Sequence, residues 1–409
     1  MSRRVVVTGI GMLTPFGRGS EATLKAIRSG ATAVRSYPEW SKYKGLRTRY
    51  GAQIPVEAVP DTLPLRHSRS MGRVAQLAFY SAEIALENAK IEKSSSLLTD
   101  GRCGIAFGSG IGSIAAFCDY TKFLSEGSTQ GLMATTYHRI MSHTCASNIG
   151  IGFGITGRII PTSSACTSGS QGIGFACESI RSGAQEIMIA GGAEEFAPAI
   201  AAMFDVLCAC STSAEGIPTP RPFDKTRDGI VLVEGACSLI LESYEHAAAR
   251  GAPMLAEVVG FGTNSDGWHI TNPKAETMAR CVEIALRDAR LSPTNIQYVN
   301  AHATGTFLGD KAEALAMREV FKNHPVPIST VKGHLGHTLG ACGAIEAALT
   351  IEMMRARWIS PTRNLEKPLE EGADLNLLKT PVEELEIEFG MSNTFAFGGV
   401  NTSLIFKAM

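Results

Sequence analysis

The sequence predicts an α/β protein built from two related halves, and three observations carry that prediction. Apolar, strand-like runs end repeatedly in glycine, as in Val5–Gly11, Gly104–Gly112 and Glu186–Gly192. A helix-forming segment occurs twice with five of nine residues identical, as Glu83-Ile84-Ala85-Leu86-Glu87-Asn88-Ala89-Lys90-Ile91 and as Glu283-Ile284-Ala285-Leu286-Arg287-Asp288-Ala289-Arg290-Leu291. Each copy leads into a strand and a glycine-rich turn, Gly104 to Gly112 in the first and Tyr298 to Gly305 in the second. A further correspondence joins Pro161–Ala176 to Pro327–Gly340, each reading as strand, small-residue turn and helix. Internal similarity of this kind marks a duplicated unit. The halves are taken as residues 1–255 and 256–409, joined near 250–258. Equivalent turns of a duplicated fold meet at its pseudo-twofold axis, which would set Cys166 against His337.

Taken in order, Val5–Gly11 is a buried strand entering a glycine turn. It lacks the third glycine of a dinucleotide-binding fingerprint, and Gly108-Ser109-Gly110-Ile111-Gly112 fails the same test. Residues 72–90 carry Val74, Ala78, Ala82, Ala85, Leu86 and Ala89 at helical spacing. Gly229–Val233 and Cys237–Glu242 read as neighbouring strands, and Tyr244–Gly251 as a short helix closed by its glycine.

Charged residues are 19% of the chain and net charge is −1, so a nucleic-acid partner is not indicated. The low charge on so large an α/β chain points to a surface covered by a partner subunit. Ten cysteines show no CxxC pair or disulfide-framework spacing, which reads as free thiols in a reducing cytoplasm. Thr8, Gly9, Gly11 and Pro15 interrupt the apolar start, so a strand is expected there rather than a signal peptide. No apolar run reaches membrane-spanning length.

A solitary cysteine is ordinarily a small core hydrophobe. Cys166 differs by standing where an apolar strand, Ile159-Ile160-Pro161, breaks at a small-residue turn and restarts as a helix. The helix N-terminus favours a thiolate there, and hence a nucleophile for an acyl group. His302 follows the strand Ile296–Val299, at the strand end where open α/β sheets place ligands. His337 lies in a glycine-rich turn five residues after Lys332, and Met391–Asn401 is a glycine-rich, aromatic closing motif. One thiol, two histidines and a lysine beside glycine turns suit acyl transfer to sulfur, the histidines acting as donors or bases.

The motifs VVVTGIG, GSGIG, SSACTSG, AGGAEE, RPFDKTRDG, NAHATGT, VKGHLGHTLGACGAIEA and SNTFAFGGVN stand in an order that resembles the β-ketoacyl-acyl-carrier-protein synthases of type I/II, elongating condensing enzymes of the thiolase superfamily. The resemblance covers essentially the whole chain. It implies a thiolase-like fold, a five-layer α-β-α-β-α sandwich, and pairing into a homodimer or a heterodimer with a related subunit. It implies an acyltransferase of fatty-acid elongation that takes an acyl chain onto Cys166 from acyl carrier protein. His302 and His337 would bind the malonyl thioester and promote its decarboxylation. Lys332 and Glu346 would anchor the surroundings of His337, and Cys166 and Phe397 would supply oxyanion-binding N–H groups. Phe397 would also gate an acyl pocket lined by Ile111, Phe204 and Phe395, while Thr304 and Thr306 would hold the pantetheine arm. No cofactor beyond the carrier's phosphopantetheine and no metal is implied, and neither nucleic acid nor membrane is a partner.

Sibling classes differ at the same positions. Thiolases carry a second cysteine where this chain has Phe395-Ala396-Phe397, initiating type III synthases have Asn in place of His337, and chain-length factors lack the nucleophile. Phe307 in place of proline, Ser163-Ser164, Gln171 and His334 depart from the usual pattern around the cleft, so a specialised polyene or polyketide pathway is the alternative. Arg66 and Arg69 match basic carrier-docking positions and, with Arg73, fall at helical spacing.

Overall fold

The computed structural model describes residues 3–60, 63 and 68–409. Ten strands form the main path of a single mixed sheet. In the first half they are β1 (Val5–Thr14), β2 (Cys103–Gly108), β3 (Ile159–Thr162), β4 (Ile187–Glu194) and β5 (Gly235–Ser243). In the second they are β6 (Ala256–Ser265), β7 (Tyr298–Asn300), β8 (Ile328–Ser329), β9 (Phe389–Phe395) and β10 (Val400–Ala408). Their order across the sheet is β8-β7-β9-β10-β6-β1-β5-β4-β2-β3. Outward from the centre, one half runs β1-β5-β4-β2-β3 and the other β6-β10-β9-β7-β8, the same connection position by position. Directions repeat too: the outer three strands of each half are mutually parallel and the inner two antiparallel to their neighbours. The halves touch through β1 and β6, paired antiparallel at Val6–Glu257 and Val7–Ala256.

Seven helices complete the frame: α1 (Arg73–Asn88), α2 (Thr144–Phe153), α3 (Ser168–Arg181), α4 (Pro198–Val206), α5 (Ala275–Ala289), α6 (Phe307–Phe321) and α7 (Cys342–Ala356). Helices α1 and α2 pack outside the first half and α5 and α6 outside the second, while α3 and α7 pack on each other between them. The layers are therefore helix, sheet, helix, sheet, helix, as expected of the fold. Small residues set how closely α3 and α7 approach. A Cβ on Gly169 would stand 2.8 Å from the Ala344 nitrogen, and one on Gly343 2.7 Å from Ser170 Oγ.

The duplicated helix segment owes its alanines to the same constraint. A Cβ on Gly9 would lie 2.2 Å from Ala85 O, and one on Gly11 1.9 Å from Ser81 O. In the second half, Gly260 would approach Ala285 O at 2.5 Å and Gly262 would approach Cys281 O at 2.2 Å. Each inner strand thus lies against its helix backbone, and the pairing of strand glycines with helix alanines is what the repeat preserves.

The structure departs from expectation at Gly229–Val233, which is not a ladder strand. Its backbone is divided among three partners through isolated bridges, Ile230 to Cys210, Leu232 to His337 and Val233 to Ala52. The segment is a strut beneath the turn that carries His337. Residues 244–249 form the expected short helix, followed by Gly251 at φ +64°.

Overpacking a close backbone contact costs about 1–3 kcal/mol. Gly262→Ala and Gly11→Ala are each expected to lower the urea unfolding free energy by that order, against little change for Lys44→Ser on the exposed surface. Equal midpoints for all three would contradict the close-approach reading.

Candidate active site

Cys166 stands two residues ahead of Ser168, where α3 begins, in a turn whose small residues satisfy its own backbone. Ser168 Oγ accepts from the Ser164 N–H at 3.0 Å and donates to Ala165 O at 2.7 Å, and Thr167 Oγ1 donates to Ser164 O at 2.7 Å. Ala165 takes a left-handed φ of +52°. Burial pushes the Cys166 thiol up to about 12, while Lys332 and the Phe397 N–H pull it the other way. The resting group is therefore a thiol. The thiolate expected from the helix N-terminus is corrected: the sulfur precedes the helix, and loss of water outweighs the helix field.

His337 sits opposite, as the duplication requires, with Nε2 at 3.1 Å from Cys166 Sγ. Its backbone is pinned to the strut: the His337 N–H donates to Val231 O at 2.7 Å, and the Val233 N–H donates to His337 O at 2.9 Å. The Leu339 N–H donates to His337 Nδ1 at 3.3 Å, which leaves the ring proton on Nε2, facing the sulfur. His302 follows β7, and its ring stands perpendicular to that of His337 with centroids 5.3 Å apart. Glu313 of α6 accepts the N–H groups of His302 and Ala303 at 2.8 and 2.7 Å.

Lys332 Nζ lies 3.2 Å from His302 Nδ1 and also contacts Glu346, with all three side chains buried. An ammonium has only hydrogens to offer, so His302 Nδ1 accepts and its Nε2 carries the proton. Both imidazoles therefore present Nε2–H donors. Burial, with Lys332 adding to it, holds both rings well below the ordinary histidine range. Burial disfavours the Lys332 charge, but Glu346, with Cys342 and Glu313 adding to it, offsets this and holds the ammonium above its usual range. Burial pushes the Glu346 carboxyl up to about 7 against the pull of Lys332. The Lys332–Glu346 pair thus contacts His302 directly, while its effect on His337, whose surroundings it was expected to anchor, is through the lysine's charge; the turn Lys332–Leu335 points the lysine back toward β7.

The cleft above the sulfur is lined by Cys166, His302, His337, Phe204, Phe395 and Phe397, and its mouth by Thr304, Thr306, Leu207, Ile270 and Phe307. Phe397 lies at the tip of the β9–β10 hairpin between Ala396 and two glycines of positive φ, Gly398 (+86°) and Gly399 (+73°). Its ring stacks on Phe204 with centroids 5.8 Å apart. Phe395 packs edge-on to His302 at 6.4 Å. Thr304 and Thr306 hold their hydroxyls 3.0 Å apart, and Thr306 also caps α6 through the Gly309 N–H. Ile111 packs with Phe204 in an apolar cluster around Trp40, Phe196 and Leu339, behind the cleft rather than in its wall.

Arg66 lies outside the described residues. Arg69 is exposed in a turn before α1, whereas Arg73 is drawn inward to Glu234 at 2.6 Å, so it does not share a solvated basic face with Arg69. The sequence reading gave no role to Glu313, Asp310, Glu194 or Cys342. Asp310 accepts from the Phe223 and Gly305 N–H groups at 2.7 and 3.0 Å, and Cys342 Sγ donates to Cys166 O at 3.3 Å. The available signal for the carboxylates was an acidic residue at a strand end or on the inner side of a helix beside a glycine turn. Ligand atoms of Cys166, His302 and His337 lie within 4.8 Å of one another, as do those of His302, Cys342 and Glu346. A cation there would have to share the cavity with the Lys332 ammonium. Among the described residues no helix is long and apolar enough to cross a membrane.

A duplicated five-layer fold with a buried cysteine facing two imidazoles across its pseudo-twofold axis defines the acyl-transferring, thiolase-like class. Residues 2–247 match the beta-ketoacyl synthase N-terminal domain and residues 255–366 its C-terminal domain, and the chain belongs to the beta-ketoacyl synthase family. It is 35% identical over 412 residues to 3-oxoacyl-[acyl-carrier-protein] synthase 2 of Vibrio harveyi, covering 99% of this chain and 98% of that one. A beta-ketoacyl synthase from Burkholderia phymatum STM815 superimposes with a TM-score of 0.96 at 47% identity, covering all of both chains. A type II PKS ketosynthase in complex with its acyl-carrier protein and bound to the hexaketide superimposes with a TM-score of 0.89 at 28% identity, again over the full length of both.

Because burial and Lys332 hold both rings well below the ordinary ~6.5, His302 and His337 are expected to keep the neutral Nε2–H tautomer in ¹⁵N NMR as pH falls through that ordinary range. Protonation of either ring near 6.5 would contradict the buried, lysine-backed arrangement.

Proposed function

We propose that this protein is a β-ketoacyl-acyl-carrier-protein synthase that extends fatty-acyl chains by decarboxylative condensation. The observation that carries the reading is the Cys166 sulfur 3.1 Å from His337 Nε2, with His302 beside it, at the bottom of an apolar cleft. The sulfur of Cys166 attacks the carbonyl carbon of an acyl-carrier thioester. The new carbon–sulfur bond forms, the old one breaks, and the pantetheine thiol leaves with the proton. The two Nε2–H groups then hold the carbonyl oxygen of a malonyl-carrier thioester while its carboxylate departs as CO₂. The electron pair left behind makes an enolate, and the neutral donors stabilise its oxygen. The enolate carbon attacks the Cys166 thioester, and the N–H groups of Phe397 and Cys166 hold the tetrahedral oxyanion. Collapse expels the sulfur, which regains a proton. No metal or organic cofactor enters these steps, and the substrates bring phosphopantetheine with them.

Thr304 and Thr306 receive the pantetheine arm, Phe397 moves on its two glycines to admit the acyl chain past Phe204, and acyl carrier protein docks through Arg66 and Arg69. The division at 255/256 follows the joint between the two strand sets. The protein works in the cytoplasm as a homodimer. Edge strand β3 supports that pairing, because Ile159 is exposed beside the unpaired edge. Likeness to the polyketide ketosynthase favours a second reading, the same condensation on a polyene or polyketide chain. Intact mass after mixing with a panel of acyl-carrier proteins separates the two: adducts with saturated chains place it in fatty-acid elongation, and adducts confined to unsaturated chains place it in the specialised pathway.

Cys166→Ala is expected to abolish the acyl adduct. His302→Ala and His337→Ala should each lower malonyl-carrier decarboxylation by about 10²–10³ while Cys166 still acylates, since each removes one oxyanion donor. Loss of acylation and decarboxylation in equal measure would argue against separate roles. Ile159→Lys is expected to convert a dimer to a monomer in sedimentation velocity without loss of helical signal, and an unaltered sedimentation coefficient would place the interface elsewhere.

A further inference from the structure

We propose that Glu194 is a positioning residue that locks the turn carrying His337 to the turn carrying Ile111, so that the decarboxylating donor and the apolar cluster behind the cleft share one anchor. The proposal rests on the condensing-enzyme reading above and goes beyond it, because Glu194 touches neither the sulfur nor the cleft.

Glu194 is the last residue of β4 and its side chain is wholly buried. Its Oε2 accepts the Gly110 N–H at 2.7 Å and the Gly340 N–H at 3.1 Å, and its Oε1 accepts the Ile111 N–H at 3.3 Å. Gly110 and Ile111 follow β2 in the first half, and Gly340 follows His337 by three residues in the second. One carboxylate therefore clasps the two halves where they face each other. The fit is close, because a Cβ on Gly340 would stand 2.7 Å from the Gly110 nitrogen and 2.8 Å from Glu194 Oε2. Between the clasp and the catalytic ring lies Leu339, held at φ +47°. Its N–H fixes the His337 tautomer, and its side chain packs in the cluster that includes Ile111 and Phe204. Displacing Gly340 would therefore move the very N–H that keeps the His337 proton on Nε2.

The carboxylate is required by donor arithmetic. Three backbone N–H groups converge on two oxygens, and an amide would offer one oxygen and bring two hydrogens of its own. Adjacent Glu195 supplies a matched control. It too is buried, and it accepts the N–H groups of Val74 and Ile114 at 2.9 and 2.5 Å, but it does not bond the His337 turn.

The experiment compares Glu194→Gln and Glu195→Gln with the unmodified protein, each corrected for its folded fraction. Cys166 acylation by intact mass, malonyl-carrier decarboxylation and ¹⁵N NMR of the His337 ring are read together. Glu194→Gln is expected to lower decarboxylation about tenfold to a hundredfold more than it lowers acylation by a short chain, as a misplaced donor does. Its His337 ring should lose the pure Nε2–H signature. Glu195→Gln should lose stability alone, with the ratio of the two rates and the ring signal unmoved. A Glu194→Gln protein that matches Glu195→Gln in all three readouts would overturn the proposal. If Glu194→Gln does not fold, Glu194→Asp takes its place; the same selective loss supports the proposal, and an unaltered rate ratio and ring signal overturns it. If the unmodified protein neither acylates nor decarboxylates with any carrier, the condensing-enzyme reading fails, while the His337 ring signal still decides the role of Glu194.

Discussion

The chemistry of the cleft depends on one buried charge, the Lys332 ammonium. Lying between Glu346 and His302 Nδ1, it settles which nitrogen of His302 carries the proton and adds to the burial that keeps both imidazoles neutral. It also pulls the Cys166 thiol toward ionisation against its burial. A lysine stripped of water is costly unless paired, and Glu346 is what makes its position tenable. Two neutral N–H donors backed by a fixed positive charge suit a step in which negative charge grows on an oxygen and little water is present to solvate it.

The frame that holds those groups is the meeting of two copies of one design. Each half delivers a strand, a turn and then a central helix to the axis. The turn before α3 carries Cys166 and the turn before α7 carries His337. Because α3 and α7 pack on each other through glycine, alanine and serine, their N-terminal turns arrive within hydrogen-bonding distance. The Cys342 thiol, donating to the Cys166 carbonyl, ties the start of one helix to the turn of the other.

Buried carboxylates do the finer placement. Glu313 holds the backbone at His302, Asp310 holds Gly305 and Phe223, and Glu194 holds Gly110, Ile111 and Gly340. Burial raises Glu194 and Glu313 from the ordinary carboxyl range, while the backbone N–H groups donated to them oppose that rise and favour the ionised form. Backbone N–H groups at sharp turns have no ladder partner, so an acceptor reaching in from a neighbouring element is what makes such turns rigid.

The sequence by itself determined the duplication and the identity of the thiol and the two histidines, and the five layers came from the resemblance its ordered motifs carry. Periodicity, glycine-ended strands and small-residue turns are local signals, and they survive in the order of the residues. Tertiary structure alone decided which groups those residues meet. It turned Lys332 toward His302, drew Arg73 inward to Glu234, set Ile111 behind the cleft and made residues 229–233 a strut. It also kept Cys166 a thiol, since its protonation follows from burial by elements far away in the chain. Pairings across 30 to 171 positions, as in Lys332 with His302 and Cys166 with His337, leave no periodic trace in the sequence. They exist because two folded halves close on each other, and only the closed form brings the partners together.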